Sequence, residues 1–114
     1  MATTITREAL KQKLDQKEPF HLVEVLSEEE FRRLHIPGAF NIPFNRIGTE
    51  ATRRFHKTDE IILYCMDPQC RASPIAAEKL ENLGFMNIAI YSGGKQDWAE
   101  GGLPVQGKEA GAAS

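Results

Sequence analysis

The feature that most constrains this chain is the stretch Ile61-Ile62-Leu63-Tyr64, which runs straight into Cys65 and then into a polar loop, Met66-Asp67-Pro68-Gln69-Cys70-Arg71. An apolar run this short, entered through Thr58-Asp59-Glu60 and left through a polar loop, suits a strand buried on both faces of a parallel sheet. Ser73-Pro74 reads as the N-cap and first residue of a helix. Cys65 is therefore expected at the carboxyl end of a central strand with a helix N-terminus beyond it, the place where open α/β sheets bind ligands.

That position favours a reactive thiol. Only the thiolate is a good nucleophile, and a free cysteine with pKa ~8.5 is mostly protonated at neutral pH. Inward-turned loop amides and the positive end of a helix dipole stabilise an anion, and Arg71 adds a permanent charge. These groups are expected to lower the pKa of Cys65 and to hold an oxyanion or a sulfur-bound anion beside it. The competing reading is that Cys65 is a small buried hydrophobe ending a strand.

The 114 residues suffice for one domain with one core. At 41% apolar and 26% charged residues the balance is that of an ordinary soluble protein, and a net charge of −2 excludes broad attraction to nucleic acid or an anionic membrane. No apolar run approaches the ~20 residues that span a bilayer. Met1-Ala2-Thr3-Thr4-Ile5 lacks the basic and apolar regions of a signal peptide, so a cytoplasmic location is expected. In that compartment Cys65 and Cys70 are reactive or inert thiols rather than a structural staple. Their spacing, with no second pair and no histidines at ligand spacing, argues against zinc, and the residues call for no cofactor.

Along the chain, Thr6 caps a helix over residues 7–16, and Phe20 to Val25 reads as a strand with Glu24 near its end. A buried carboxylate there needs a salt bridge or a helix N-terminus, unless it faces the cysteine loop. Ser27 to Glu30 reads as a capping box opening a helix through Leu34. His35 precedes the turn Pro37-Gly38 and is expected to fix it by a backbone hydrogen bond, although a base or ligand role stays open. Phe40 and Ile42 suit a short edge strand. A short helix is expected over residues 50–55, beside a basic patch of Arg46, Arg53, Arg54, His56 and Lys57 that reads as a solvated face or a weak anion attractor. The spacing then gives a helix over 75–83 with Ala76, Leu80 and Leu83 inward and Gly84 just past its end, a strand over 88–91, and a helix over 96–100 with Trp98 inward. Residues 1–105 form one domain, and 106–114 read as a disordered tail. Alternating strands and helices imply a mostly parallel sheet with helices on both faces.

Three motifs together resemble the rhodanese homology domain. Phe31-Arg32-Arg33-Leu34-His35-Ile36-Pro37-Gly38-Ala39 looks like its Phe-x-x-x-His-Ile-Pro-Gly-Ala signature, the strand ending in Cys65 like its nucleophile strand, and Gly93-Gly94-Lys95-Gln96-Asp97-Trp98 with Gly102-Leu103-Pro104-Val105 like its closing motif. Leu22-Val23-Glu24-Val25 is similar to the strand that precedes the first of these. The resemblance implies a rhodanese-like α/β fold with a central sheet of about five strands, and a sulfurtransferase. Such an enzyme takes sulfane sulfur from thiosulfate or a similar small anionic donor, holds it as a cysteine persulfide, and passes it to cyanide, a thiol or a thioredoxin-like protein acceptor. Carried over, Cys65 is the nucleophile, the amides of Met66, Asp67, Gln69, Cys70 and Arg71 cradle the outer sulfur, and Arg71 steers the donor. Pro68 stands where a glycine is usual and removes one amide from that cradle. Leu26 and Leu34 replace a usual arginine and a usual glycine. The spacing Cys65-x5-Arg71 also resembles loops of phosphatases and arsenate reductases that share the fold, although Asp67 opposes an oxyanion. Cys70 is either a resolving thiol for Cys65 or a support for the turn. A non-catalytic module that binds a partner is the reading from another class.

Overall fold

The run at 61–64 lies at the centre of a five-stranded sheet in which every pairing is parallel. The computed structural model describes residues 2–110. In chain order these form β1 (Thr3–Thr4), α1 (Arg7–Asp15), β2 (His21–Glu24), α2 (Glu28–Arg33), β3 (Phe40–Asn41), α3 (Ile47–Arg54), β4 (Glu60–Tyr64), α4 (Ala72–Asn82), β5 (Asn87–Tyr91) and α5 (Gly94–Glu100), with a 3₁₀ turn at Phe44–Arg46 leading into α3. The strand order is β1-β5-β4-β2-β3. β4 sits in the middle, in register with β2 (Glu24 opposite Tyr64) and β5 (Tyr64 opposite Tyr91).

Successive side chains of a strand point to opposite faces, and β4 feeds two cores accordingly. Ile61, Leu63 and Cys65 join Val23, Val25, Ile47, Ala51, Ala76, Ala77 and Leu80 in the core beneath α3 and α4. Ile62 and Tyr64 join Leu10, Leu22, Ile36, Tyr91 and Trp98 in the core beneath α1 and α5. All five residues from Ile61 to Cys65 are buried. At roughly 1.5–3 kcal/mol for each large apolar side chain buried, this strand anchors both layers.

Side-chain caps fix the starts of α1 and α2. Thr6 accepts the Ala9 amide (3.1 Å), and Ser27 accepts the Glu30 amide (3.2 Å). The Glu30 carboxylate engages Arg33 at 2.9 Å rather than completing a capping box. Gly84 follows α4 at φ +97°, as a residue just past a helix end should. Trp98 is buried, with its indole N–H donating to the Pro104 carbonyl (2.8 Å).

Several expectations are corrected. β1 has no apolar signature; it exists because the edge of β5 offers partners, and Ile5 N continues the pairing to Ile90 O (3.0 Å). α4 begins at Ala72, so Ser73 is inside the helix and not its cap. Leu83 lies at the C-cap beyond the last turn and is 45% exposed instead of inward. α3 begins three residues earlier than expected. Part of the expected tail is docked. Gln106 pairs with His35 through both backbone directions (2.8 and 2.9 Å), and the amides of Lys108 and Glu109 donate to the carbonyls of Arg32 and Arg33. Residues 111–114 of that tail lie outside the described residues.

Candidate functional site

Cys65 follows the last residue of β4, and its loop is pinned from the side by the start of α5. Lys95 N donates to Cys65 O (3.0 Å) and Gln96 N to Met66 O (2.9 Å). The approach is so close that a Cβ on Gly94 would lie 2.6 Å from Asp67 N and from Met66 C and O. Gly94 also sits at φ +72°, where a side chain is strained. The Gly93-Gly94 pair thus lets a helix start abut the loop.

Within the loop, Asp67 folds back on its own backbone. Its carboxylate accepts the amides of Gln69 and Cys70, both at 3.0 Å, and Cys70 N also reaches Asp67 O (3.1 Å). This is an Asx-type turn. It spends on the Asp67 carboxylate two amides that the expected cradle would have used. Pro68 has no N–H, so the amides of Met66, Asp67 and Arg71 are what the loop still offers. Pro68 and Gln69 are exposed and Cys70 is half-buried.

The Cys65 sulfur meets Ser73 from α4, with Oγ 3.4 Å away and both residues almost wholly buried. Burial pushes the Cys65 thiol above its ordinary pKa, and the Cys70 thiol pushes it the same way. The Ser73 hydroxyl and amide pull it back down without reversing the result. This corrects the expected lowering: the sulfur lies inside the core, two amides are spent on Asp67, and Ser73 supplies the main opposing pull. Arg71 occupies the N-cap of α4 without a side-chain capping bond and is exposed. Cys65 and Cys70 are both free thiols.

One strand over, on the opposite face, Glu24 ends β2 fully buried. Its Oε2 meets Lys95 Nζ at 3.1 Å, and Lys95 Nζ also donates to the carbonyls of Glu30 (2.9 Å) and Leu34 (2.6 Å). Glu24 Oε1 has no hydrogen-bond partner. Burial lifts the carboxyl above the usual carboxylate range, and the Lys95 charge opposes this most strongly. Glu24 therefore has the salt bridge its burial demanded. Lys95 joins the two regions, since its ammonium neutralises Glu24 while its backbone holds Cys65.

The remaining candidates resolve as structure. His35 Nδ1 bonds the Phe31 carbonyl (2.6 Å), and the two rings stack at 3.8 Å, so this histidine ties down the end of α2. In the basic patch, Arg53 and Arg54 pair with Glu50, His56 N donates to Asp59, and Lys57 donates to Leu83 O. Among the described residues no cluster of histidine, cysteine and carboxylates could hold a metal, and no helix is long and apolar enough to cross a membrane. Sequence reasoning missed Ser73 and Lys95. The first was disguised as a cap, whereas the second was signalled by the unmet need of Glu24.

Comparison with known proteins places this geometry among relatives. The chain is 33% identical over 94 residues to "Putative sulfur carrier protein YrkF" of Bacillus subtilis, covering 82% of this chain and 49% of that protein. It is 28% identical over 109 residues to a protein of Allochromatium vinosum named "Sulfurtransferase", covering 96% of this chain and 99% of that one. Among solved structures it superposes on the BH2092 protein of Bacillus halodurans with a TM-score of 0.90 at 30% identity, over 99% of this chain and 82% of that one. The chain spans half or less of the length of several curated relatives, YrkF included. The rhodanese-like domain model matches residues 6–101, from the cap of α1 through the cysteine loop to the end of α5, and the chain belongs to the rhodanese-like domain family.

Proposed function

We propose that the protein is a sulfurtransferase that carries sulfane sulfur on Cys65. The observation that carries this reading is the placement of a free, core-lodged thiol at the carboxyl end of the central strand, facing Ser73 at the start of α4. The names of relatives, a sulfur carrier and a sulfurtransferase, point the same way. In the first half-reaction the Cys65 thiolate attacks the outer sulfur of thiosulfate or a similar donor. The donor S–S bond breaks and sulfite leaves with the electron pair. In the second, cyanide or a thiol attacks the outer sulfur of the persulfide and regenerates the thiolate. The free amides of Met66, Asp67 and Arg71 and the start of α4 stabilise the anionic persulfide, and the exposed Arg71 attracts the dianionic donor. A thioredoxin-like protein is a fitting physiological acceptor, and the cytosol a fitting location.

The test is an intact mass after incubation with thiosulfate. In Cys70→Ser, an adduct one sulfur atom heavier, removed by cyanide and lost when Cys65→Ser is added, is the expected result. An adduct that survives Cys65→Ser but disappears in Cys70→Ser means that the nucleophile is Cys70. The raised pKa of Cys65 favours a second reading, a partner-binding module without turnover. Silence toward thiosulfate and toward inorganic polysulfide in the mass assay selects it. The phosphatase or arsenate-reductase alternative requires Cys65- and Arg71-dependent turnover of an aryl phosphate or arsenate, and the Asp67 carboxylate inside the loop argues against it.

A further inference from the structure

The loop contains a nucleophile that the transfer cycle does not use. Cys70 is a free thiol, half-buried where Cys65 is 2% exposed, and it packs against the same core cluster. Its backbone is fixed by two bonds from its own amide, to the side chain and the carbonyl of Asp67. That turn holds Cys70 against the core cluster to which Cys65 belongs, and its thiol acts on the ionisation of Cys65. The other end of the loop is clamped by the amides of Lys95 and Gln96. Two thiols, one buried and one half-buried, are thus held on a short tether whose ends are both anchored. An external thiol must reach a buried Cys65, whereas Cys70 is tethered to it in the same loop as an intramolecular reactant.

We propose that Cys70 is a resolving thiol that discharges a Cys65 persulfide as hydrosulfide. The inference rests on the persulfide reading above. Cys70 loses its proton to solvent, and its thiolate attacks the inner sulfur, that of Cys65. A Cys65–Cys70 disulfide forms, the bond between inner and outer sulfur breaks, and its electron pair leaves on HS⁻. An external dithiol reductant then reopens the disulfide, supplying two electrons and two protons and becoming a disulfide itself. The net reaction with thiosulfate converts it and one dithiol into sulfite, hydrosulfide and one disulfide. The chain would then act as a dithiol-dependent sulfane reductase as well as a sulfur carrier.

The full chain is incubated with thiosulfate in the absence of any acceptor and quenched in acid. Intact mass and released sulfide are then measured. Wild type is expected to release one sulfide per chain and to become lighter by two hydrogens, a change that a dithiol reverses. Cys70→Ser is expected to release no sulfide and to stay one sulfur heavier, with Cys70→Ala as the second variant should the serine perturb the loop. If wild type and Cys70→Ser both hold the extra sulfur stably, Cys70 does not resolve and the persulfide reading stands alone. If thiosulfate loads neither protein, the persulfide reading from that donor fails. The resolving role is then decided by loading with inorganic polysulfide, where a wild type that forms no internal disulfide overturns it.

Discussion

The two faces of the sheet treat a buried polar group differently at the same end. On the α1/α5 face, Glu24 at the end of β2 is neutralised by Lys95, which is itself saturated by two backbone carbonyls. On the α3/α4 face, Cys65 at the end of β4 meets no charged partner, only the hydroxyl and amide of Ser73 and a thiol. A charge in the core must be paired, because an unpaired one costs several kcal/mol. A thiol can be left almost unpaired, because it stays neutral until something draws off its proton. The paired face therefore supplies rigidity and the unpaired face supplies chemistry, and Lys95 connects them through its backbone bond to Cys65.

The largest expected effect comes from breaking the paired side. Lys95→Met leaves Glu24 buried without its cation and should lower stability by about 3–5 kcal/mol, read as a shifted urea midpoint. Lys95→Met combined with Glu24→Met should recover most of that loss, since replacing a whole buried pair by apolar groups is often neutral. Failure to recover would mean that the Lys95 ammonium acts chiefly through the carbonyls of Glu30 and Leu34.

Gly94→Ala attacks the junction between the faces. Its Cβ would collide with the backbone of Met66 and Asp67 at 2.6 Å. The expected cost is about 1–3 kcal/mol, together with slowed sulfur loading in the mass assay. Full loading with lowered stability would show that the loop does not need this clamp.

The unpaired side is tested by pH. In a Cys70→Ser background, Cys65 should alkylate with iodoacetamide at a rate that rises only above the ordinary thiol range, and Ser73→Ala should move the rise further up, because Ser73 is the group that pulls the pKa down. The same shift sets a sign for stability. A thiol whose folded pKa is raised contributes stability that is full below about pH 8.5 and is lost as pH rises through the folded value. Denaturant midpoints should therefore fall on the alkaline side, and less steeply in Cys65→Ser.

The smallest effect is expected from Asp67→Ala, which releases the amides of Gln69 and Cys70 and removes a carboxylate from the loop. Alkylation of Cys65 in the same background should begin at lower pH than in the parent. No change would mean that the freed amides do not turn toward the sulfur.

Much of this was legible along the chain. The bounded apolar run at 61–64 had to be buried on both sides, and alternation in β4 divides it between the two cores. β1 was not legible, because Thr3 and Thr4 carry no pattern and pair only where β5 leaves an open edge. Ser73 was misread because Ser-Pro imitates a helix start. Pro74 is tolerated at the third helical position, since the first four N–H groups of a helix lack intrahelical partners in any case, and this frees Ser73 to face Cys65.

What residue order alone determined is the alternation of strand and helix, and with it a cysteine at the end of the central strand, because periodicity and chain punctuation act over a few residues. Tertiary structure decided how that cysteine ionises and which residue neutralises Glu24. Both depend on desolvation and on groups brought together through space, Ser73 and Cys70 around one sulfur and Lys95 from 71 positions away against one carboxylate.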